Sequence, residues 1–189
     1  MTAQSYTTSM VKPHVYIFRG APASGKGSIT PKFCNLLPQP VALVEQDQFR
    51  WGLHLIGRNI PDIQEEEHML AYRNTVLIYE QYLKTGKYAI VVEGLFTWDD
   101  KTSSQGNAKE LIELAKQYGF PCKSIVLRAD KEELLKRNAA RSYSVPLLEF
   151  EKLYDNIYSV VDEDELVIDS TGQSLDATLQ LLKAKLGLL

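Results

Sequence analysis

Residues 14–30 read HVYIFRGAPASGKGSIT, and this stretch carries the strongest indication of the fold. The apolar run VYIF leads directly into small residues and into three glycines, Gly20, Gly25 and Gly27. A tight turn needs fewer glycines than this. Gly20, Gly25 and Lys26 satisfy the spacing G-x-x-x-x-G-K, in which a strand passes through a phosphate-binding loop into a helix. The stretch therefore predicts a strand, an anion-binding loop and the start of a helix.

Apolar runs alternate with amphipathic helical stretches along the remainder of the chain. The predicted strands are residues 15–18, 41–45, 88–93, 124–128 and 165–169. Most of them are apolar throughout, which is typical of parallel strands that are covered on both faces. Helices are predicted from Met69 towards Gly86, after Asp130, and over about residues 175–186. The sequence therefore predicts an α/β protein with a parallel sheet and helices on both faces, in which ligands bind at the carboxyl ends of the strands.

Composition and charge limit the class of protein. The chain has 189 residues, of which 44% are hydrophobic and 24% charged, and this suits one globular domain over residues 13–189 after a flexible tail of residues 1–12. A net charge of −3 provides no general basic field for nucleic acid. The sequence begins without a signal-peptide pattern, has no run long enough to cross a membrane, and contains two cysteines, Cys34 and Cys122. We therefore expect a cytoplasmic protein without a membrane partner.

The phosphate-binding loop makes one group of residues candidates for nucleotide binding. They are Gly20, Ala23, Ser24, Gly25, Lys26, Gly27 and Ser28. Glycines allow consecutive backbone N–H groups to point at one anion, and the N-terminus of the following helix adds a favourable dipole. Lys26 would bring a full positive charge to the β- and γ-phosphates of ATP, which makes it a catalytic candidate. The alternative is a glycine-rich turn with a solvated lysine. Because proline is tolerated in a first helical turn, Pro31 predicts a helix that begins close to Gly27 or bends.

The position after the loop lysine departs from the general pattern. A serine or threonine that binds Mg²⁺ usually stands there, but in this chain the residue is Gly27 and Ser28 follows. The sequence GKGS resembles the loop of nucleoside monophosphate kinases, which reads GxPGxGKGT. This departure predicts that Ser28 would contact Mg²⁺ through water rather than directly.

After the second predicted strand the chain reads EQDQFR, so Asp47 falls at the carboxyl end of that strand and Arg50 follows three residues later. If a helix begins at Asp47, the two side chains lie on one face. A carboxylate in this place could accept the proton of a substrate hydroxyl as that hydroxyl attacks the γ-phosphate. A helix-capping aspartate with a surface arginine fits the spacing equally well, and spacing alone leaves both interpretations open.

Two further motifs accompany this pair. Residues 136–141 read KRNAAR and residues 145–146 read VP. Together with D-x-x-R and the phosphate loop, these pieces resemble the polynucleotide kinase-type and zeta-toxin-like P-loop kinases over about residues 14–169. The resemblance implies a three-layer P-loop NTPase fold, with a five-stranded sheet in the order 2-3-1-4-5 and a small lid over about residues 131–158.

The same resemblance implies roles for four side chains. It makes Asp47 the general base, lets Arg50 position the acceptor, and places Arg137 and Arg141 in the lid over ATP. Their spacing alone suggests that Arg137 and Arg141 lie on one helical face, because they are four residues apart. Two guanidinium groups there could clamp phosphates and stabilise charge on the transferring group. Cations near a helix C-terminus are also favourable through the helix dipole alone, so this alternative stays open.

Three predicted strands end at or near an acid suited to Mg²⁺, namely Glu93, Asp130 and Asp169. Asp130 is better used as a helix cap, because Glu133 would complete a capping box with it. Glu93 is preferred, since in the resembling kinases the third strand lies between the first and the second, which places its end beside the γ-phosphate. The sequence EG at this point also resembles a substrate-site motif of zeta toxins. Metal binding through water and acceptor binding therefore both stay open for Glu93.

Histidines and aromatic residues carry weaker signals. His54 and His68 fit no metal-ligand spacing. Four aromatic side chains could stack on a sugar or base, although such residues belong more often to the core; they are Phe49, Trp51, Tyr72 and Trp98. The segment that begins at Ser170 follows the last predicted strand, where related kinases pass near adenine.

The function expected from these features is an ATP- and Mg²⁺-dependent kinase that phosphorylates a hydroxyl of a small molecule. A polynucleotide 5′-hydroxyl acceptor is the first alternative: the motif resemblance favours it and the acidic net charge disfavours it. A nucleotide-binding regulatory protein that transfers no phosphate is the second alternative.

Overall fold

The computed structural model describes residues 13–53 and 64–188. Its sheet consists of β1 (Val15–Arg19), β2 (Val41–Glu45), β3 (Ala89–Gly94), β4 (Cys122–Arg128) and β5 (Leu166–Asp169). Neighbouring strands are all parallel and lie in the order β2-β3-β1-β4-β5. This confirms the predicted α/β class, the five-stranded parallel sheet and its strand order.

The helices cover both faces of this sheet. They are α1 (Lys26–Cys34), α2 (Gln46–Trp51), α3 (Glu65–Thr85), α4 (Ala108–Gln117), α5 (Lys131–Ala139), α6 (Leu147–Tyr158) and α7 (Leu175–Leu186). Alternate residues of β1 point to opposite faces: Val15 and Ile17 pack with α3 and α4, whereas Tyr16 and Phe18 pack with α1 and α7. Every residue of β1 and β3 is buried, which explains why their sequences are apolar except for Arg19 and Glu93 near their carboxyl ends.

Several helix ends follow local sequence chemistry. A capping box between Gln64 and Glu67 opens α3, and Gly86, with φ 65°, ends it in the left-handed region. The helix that follows β4 starts after Asp130 as predicted, but the expected capping box is wrong because the Asp130 side chain makes no capping hydrogen bond. Helix α1 begins at Lys26, which confirms a start close to Gly27, and Pro31 lies in its second turn.

The strand order decides where a ligand can sit. Strand β1 lies at the centre of the sheet, so the loop that follows it emerges between the ends of two pairs of strands. The segments after β2 and β3 lie on one side of this loop, and those after β4 and β5 lie on the other. Within the described ranges, no helix is both long enough and apolar enough to cross a membrane.

Candidate active site

The loop after β1 has the conformation that its glycines predict. A side chain at Gly20 could not be accommodated, because its Cβ would collide with the carbonyl oxygen of Leu127 and approach Ser24 Oγ to 2.8 Å. Gly25 has φ 95° and is the N-cap of α1, and Ala23 also has a positive φ of 62°. Turns of this kind aim successive N–H groups into one concavity, which suits an anion. The first helical turn then adds further free N–H groups.

Lys26 is the first residue of α1, and its ammonium group is held by the loop. Nζ donates to the carbonyl oxygen of Gly20 at 2.8 Å and to that of Ala21 at 3.2 Å, and it lies 3.5 Å from Ser24 Oγ. Burial lowers the pKa of Lys26 to about 8, against the opposing effect of the nearby Glu93 carboxylate. The alternative of a solvated lysine is therefore wrong, since the side chain is buried within the loop.

Helix α2 places Asp47 beside Arg50. The cap position of this helix is Glu45, so the alternative interpretation of Asp47 as the helix cap is wrong. The Asp47 carboxylate forms an ion pair with the Arg50 guanidinium across one turn, which confirms that the two side chains share a face. Only 7% of the Arg50 side chain is exposed, against 44% of Asp47. Arg50 is thus a buried anchor rather than a surface residue, and it presents the carboxylate to the cleft.

Arg50 is held in place by His68, which fits no metal-ligand spacing, and by Gln105, which no sequence pattern indicated. Its Nη1 lies 3.1 Å from His68 Nδ1 and donates to Oε1 of the buried Gln105 at 3.2 Å. An arginine can only donate, so His68 Nδ1 accepts and its proton stands on Nε2. Burial and the neighbouring Arg50 lower the pKa of His68 to about 4, which keeps the ring neutral. His54, the other histidine considered, lies outside the described residues.

Glu93 is the next-to-last residue of β3, and its carboxylate is buried next to the loop. The residue is 5% exposed, and its Oε2 has no hydrogen-bond partner in the described parts of the chain. A methyl group added at Gly27 would lie 4.0 Å from this oxygen. Burial raises the pKa of Glu93, while Lys26 and Arg50 act in the opposite direction. The oxygen is therefore an acceptor that still needs a donor or a cation.

These residues fit a Mg²⁺ ion that is shared with a nucleotide. Glu93 and the exposed hydroxyl of Ser28 line the same cleft and supply the oxygen ligands that Mg²⁺ prefers. Over residues 13–53 and 64–188, no three His, Cys, Asp or Glu side chains form a complete metal cage. Such a cage is not needed, because Mg²⁺ usually takes one or two protein ligands together with phosphate and water.

The two other acids at strand ends lie away from the loop, near Thr171. The Asp169 carboxylate accepts a hydrogen bond from the Thr171 backbone at 2.8 Å, and the Asp130 backbone donates to the Thr171 hydroxyl at 2.9 Å. Neither acid lines the cleft. Of the three candidates, Glu93 is thus the acid that faces the loop.

Arg137 and Arg141 both line the cleft, but not from one helical face. Helix α5 ends at Ala139, so the prediction that Arg141 continues the same helical face is wrong. The Asn138 side chain bonds to both the N–H and the C=O of Val145, at 3.0 and 2.8 Å, and turns the chain away from the helix axis. Arg137 donates to Glu133, to Ser170 Oγ at 3.0 Å and to the Ser170 carbonyl at 2.7 Å.

The cleft has a volume of about 680 Å³ and joins all these groups. Of the predicted site residues, Gly20 is the exception, since it lies beneath the loop. The others line the cleft; they are Ala23, Ser24, Gly25, Lys26, Gly27, Ser28, Asp47, Arg50, Glu93, Arg137 and Arg141. Among the four aromatic residues considered, Trp51 is 55% exposed at the cleft, whereas the rest pack against the core. Each predicted role stays a prediction.

Fold and site together define a P-loop NTPase with a kinase-like architecture. The defining features are the loop after β1, the strand order and the cleft between the two pairs of strand ends. A sequence profile described as an AAA domain matches residues 15–158, and the chain belongs to that family.

Solved structures with the same fold include small kinases. A sugar kinase from Janibacter sp. HTCC2649 is 14% identical, with 93% of this chain and 95% of that chain covered and a TM-score of 0.60. Shikimate kinase from Aquifex aeolicus is also 14% identical, with coverage of 92% and 96% and a TM-score of 0.58. The Deinococcus radiodurans tunicamycin resistance protein is 14% identical, with coverage of 94% and 97% and a TM-score of 0.62. At these identities the likeness concerns the fold.

Proposed function

We propose that this protein is a kinase that transfers the γ-phosphoryl group of ATP to a hydroxyl of a small-molecule acceptor. The observation that carries the proposal is that one cleft joins the loop around Lys26 to the Asp47–Arg50 pair. A phosphate-binding loop alone would suit any NTPase, but a positioned carboxylate on the far side of the loop suits an acceptor hydroxyl. The sugar kinase and shikimate kinase of similar fold support this choice of reaction.

The donor side of the cleft would bind ATP. Backbone N–H groups of residues 23–28 would hold the β- and γ-phosphates, and Lys26 would exchange its carbonyl partners for phosphate oxygens. Residues of about 131–158 would act as the lid, with Arg137 and Arg141 reaching the phosphates. The segment from Ser170 onwards would pass the adenine.

The acceptor side would position the hydroxyl for transfer. The acceptor oxygen forms a bond to the γ-phosphorus, the bond from that phosphorus to the β–γ bridging oxygen breaks, and ADP leaves. Asp47 would take the hydroxyl proton, which a modest base can do because the transition state is loose and the proton leaves late. Mg²⁺ near Glu93 and Ser28 would neutralise charge on the phosphates when bound.

The test is transfer from γ-labelled ATP to a library of hydroxyl compounds. Asp47→Asn should lower kcat by about 100-fold or more and leave ATP binding intact, whereas Asp99→Asn should change neither. Asp99 is a suitable control because it pairs with Lys109 and does not line the cleft. Unchanged transfer in Asp47→Asn would remove Asp47 as the base.

A polynucleotide acceptor is the second candidate, and the D-x-x-R and KRNAAR motifs favour it. A 5′-hydroxyl oligonucleotide therefore belongs in the same assay, and its labelling in preference to every small molecule would replace the proposed acceptor class. Tight ATP binding without transfer to any acceptor would instead favour a regulatory nucleotide-binding protein.

A further inference from the structure

Charges in the cleft are separated according to strand order. On the side of β4 and β5, two arginines and one acid line the cleft; they are Arg137, Arg141 and Glu149 of α6. On the side of β2 and β3 the charged cleft residues are mostly acids; they are Glu45, Asp47 and Glu93, with Arg50 as the cation. Arg50 pairs with Asp47 and Lys26 lies near Glu93, so Glu45 remains as the excess negative charge on this side. The side of β4 and β5, where ATP would bind, thus suits phosphates. The side of β2 and β3, where the acceptor would bind, repels a further anion.

Two buried polar atoms on the acceptor side lack partners in the described parts of the chain. They are Arg50 Nε and Glu93 Oε2, and their residues are only 6% and 5% exposed. A buried donor and a buried acceptor without partners are costly, and a ligand that satisfies both gains affinity from doing so. Hydroxyl groups can accept from Arg50 and donate to Glu93, because a Mg²⁺ ion that reaches Glu93 through water would leave one oxygen of this carboxylate for such a donor. An ionised carboxylate or phosphate can only accept, so it would satisfy Arg50 and leave Glu93 facing a second anion.

A second cavity continues from this side of the cleft. It has a volume of about 220 Å³ and shares Leu95, Gln105, Glu149 and Leu153 with the main cleft. Its charged residues are three acids and one lysine; they are Glu65, Asp100, Glu149 and Lys152. Its other polar side chains are all hydroxyl or amide groups, which can form hydrogen bonds with an uncharged ligand; they are Thr97, Thr102, Ser103, Ser104, Gln105 and Asn156.

From these observations we infer that the acceptor is a neutral molecule with several hydroxyl groups, such as a sugar or the sugar of a nucleoside, and that it carries no carboxylate or phosphate. The exposed indole of Trp51 at the cleft suits the apolar face of such a ring. The second cavity would take the part of the acceptor that lies away from the reacting hydroxyl. This inference rests on the proposed kinase function and narrows it.

Matched acceptors test the inference. Each neutral compound is compared with its own acid and phosphate: glucose with gluconate and glucose 6-phosphate, and adenosine with AMP, all with γ-labelled ATP. The expected result is that the preferred acceptor is neutral, with a kcat/KM at least about tenfold above that of its anionic counterpart. Equal or better labelling of an anionic counterpart would overturn the inference while the kinase function stands. If neither these compounds nor the wider hydroxyl library is labelled, the kinase function fails and the inference fails with it.

A charge reversal on α6 provides the structural control. Glu149→Lys places a cation where the cleft and the second cavity meet, and it should improve kcat/KM for the anionic member of a pair relative to the neutral one by about threefold or more. Glu151→Lys makes the same charge change on the same helix, but Glu151 lies close to Lys131 and lines neither cavity. An equal effect of both variants would mean that general charge, rather than the acidic acceptor site, sets the preference, and this would contradict the inference.

Discussion

The Lys26 ammonium is buried among loop oxygens, and its pKa of about 8 lies within the pH range in which binding can be measured. Bound phosphates favour the charged form and raise this pKa again, so ATP binding must take up a proton above about pH 8. We expect the affinity for ATP to fall as the pH rises from 7 to 9. Calorimetry in buffers of different ionisation enthalpy should detect the proton uptake at pH 8.5.

The control for this prediction is Lys32→Met, which removes an exposed lysine that pairs with Asp176 at the surface. This variant should keep the pH dependence of the wild type. Lys26→Met should lose most of the affinity at pH 7. An affinity that is constant from pH 7 to 9 in the wild type would show that the titrating lysine does not contact the phosphates.

His68 connects the site to acid stability, because its ring must stay neutral to accept from Arg50. Its pKa is about 4 in the folded protein against an ordinary value of 6.5. Between pH 4 and pH 6.5 the unfolded chain therefore binds more protons than the folded protein. The contribution of the neutral His68 ring to the free energy of unfolding is complete above pH 6.5 and is lost as the pH falls towards 4. His68→Asn keeps an acceptor and cannot titrate. We expect its free energy of unfolding in urea to fall less from pH 7 to pH 5 than that of the wild type, whereas His14→Asn should match the wild type. Equal slopes in all three proteins would contradict the role given to His68.

Sequence spacing was sufficient to predict the phosphate-binding loop, but it did not predict the residues that hold Arg50. Gly20, Gly25 and Lys26 could be predicted because their roles depend on local backbone geometry. Gln105 and His68 reach Arg50 from positions 55 and 18 residues away, and no local pattern encodes such a contact. A buried tertiary hydrogen bond becomes visible only after the sheet order has brought the segments together.

At the scale of elements, the strands were easier to predict than the end of α5. Burial on both faces makes most of β1 and β3 apolar, and this signal is strong in the sequence. Helix α5 ends at Ala139 without a glycine or proline there, because the Asn138 side chain bonds to the backbone of Val145. Helix propensities do not include a bond between a side chain and a backbone seven residues away, so the sequence predicts a helix that continues to Arg141.

The end of β1 is tied to the segment before β5 by a buried ion pair. Arg19 donates to Glu165 and to the carbonyl oxygens of Ile157 and Val160, and neither charged side chain is exposed. Glu165 also accepts from Ser124 Oγ at 2.7 Å. No local sequence pattern indicates this pair, since its members are 146 residues apart.

Removal of one partner from this pair would leave a buried charge without compensation. We expect Glu165→Gln to lower the free energy of unfolding by about 3–5 kcal/mol. The exposed Glu163, two residues away, supplies the control, and Glu163→Gln should change stability by less than about 0.5 kcal/mol. Urea denaturation of the three proteins measures both values. Similar stabilities for the two variants would mean that the Arg19 guanidinium is satisfied without the carboxylate.

At the scale of the whole molecule, the phosphate loop joins the central strand to a helix packed against the core, so a ligand held there should stabilise the entire fold. With Mg²⁺ and ATP at about 100 times the dissociation constant, the gain is about 2.7 kcal/mol. For a chain of this size that gain corresponds to a rise in Tm of about 5–10 °C.

AMP at the same concentration should give a much smaller rise, because it lacks the phosphates that Lys26 and the loop N–H groups would hold. Removal of Mg²⁺ with EDTA should reduce the rise in Tm that ATP produces. In Glu93→Gln, EDTA should reduce this rise by less than it does in the wild type. Differential scanning fluorimetry measures all of these shifts in Tm. An equal rise in Tm with AMP and with ATP would contradict binding of the ATP phosphates by Lys26 and the loop.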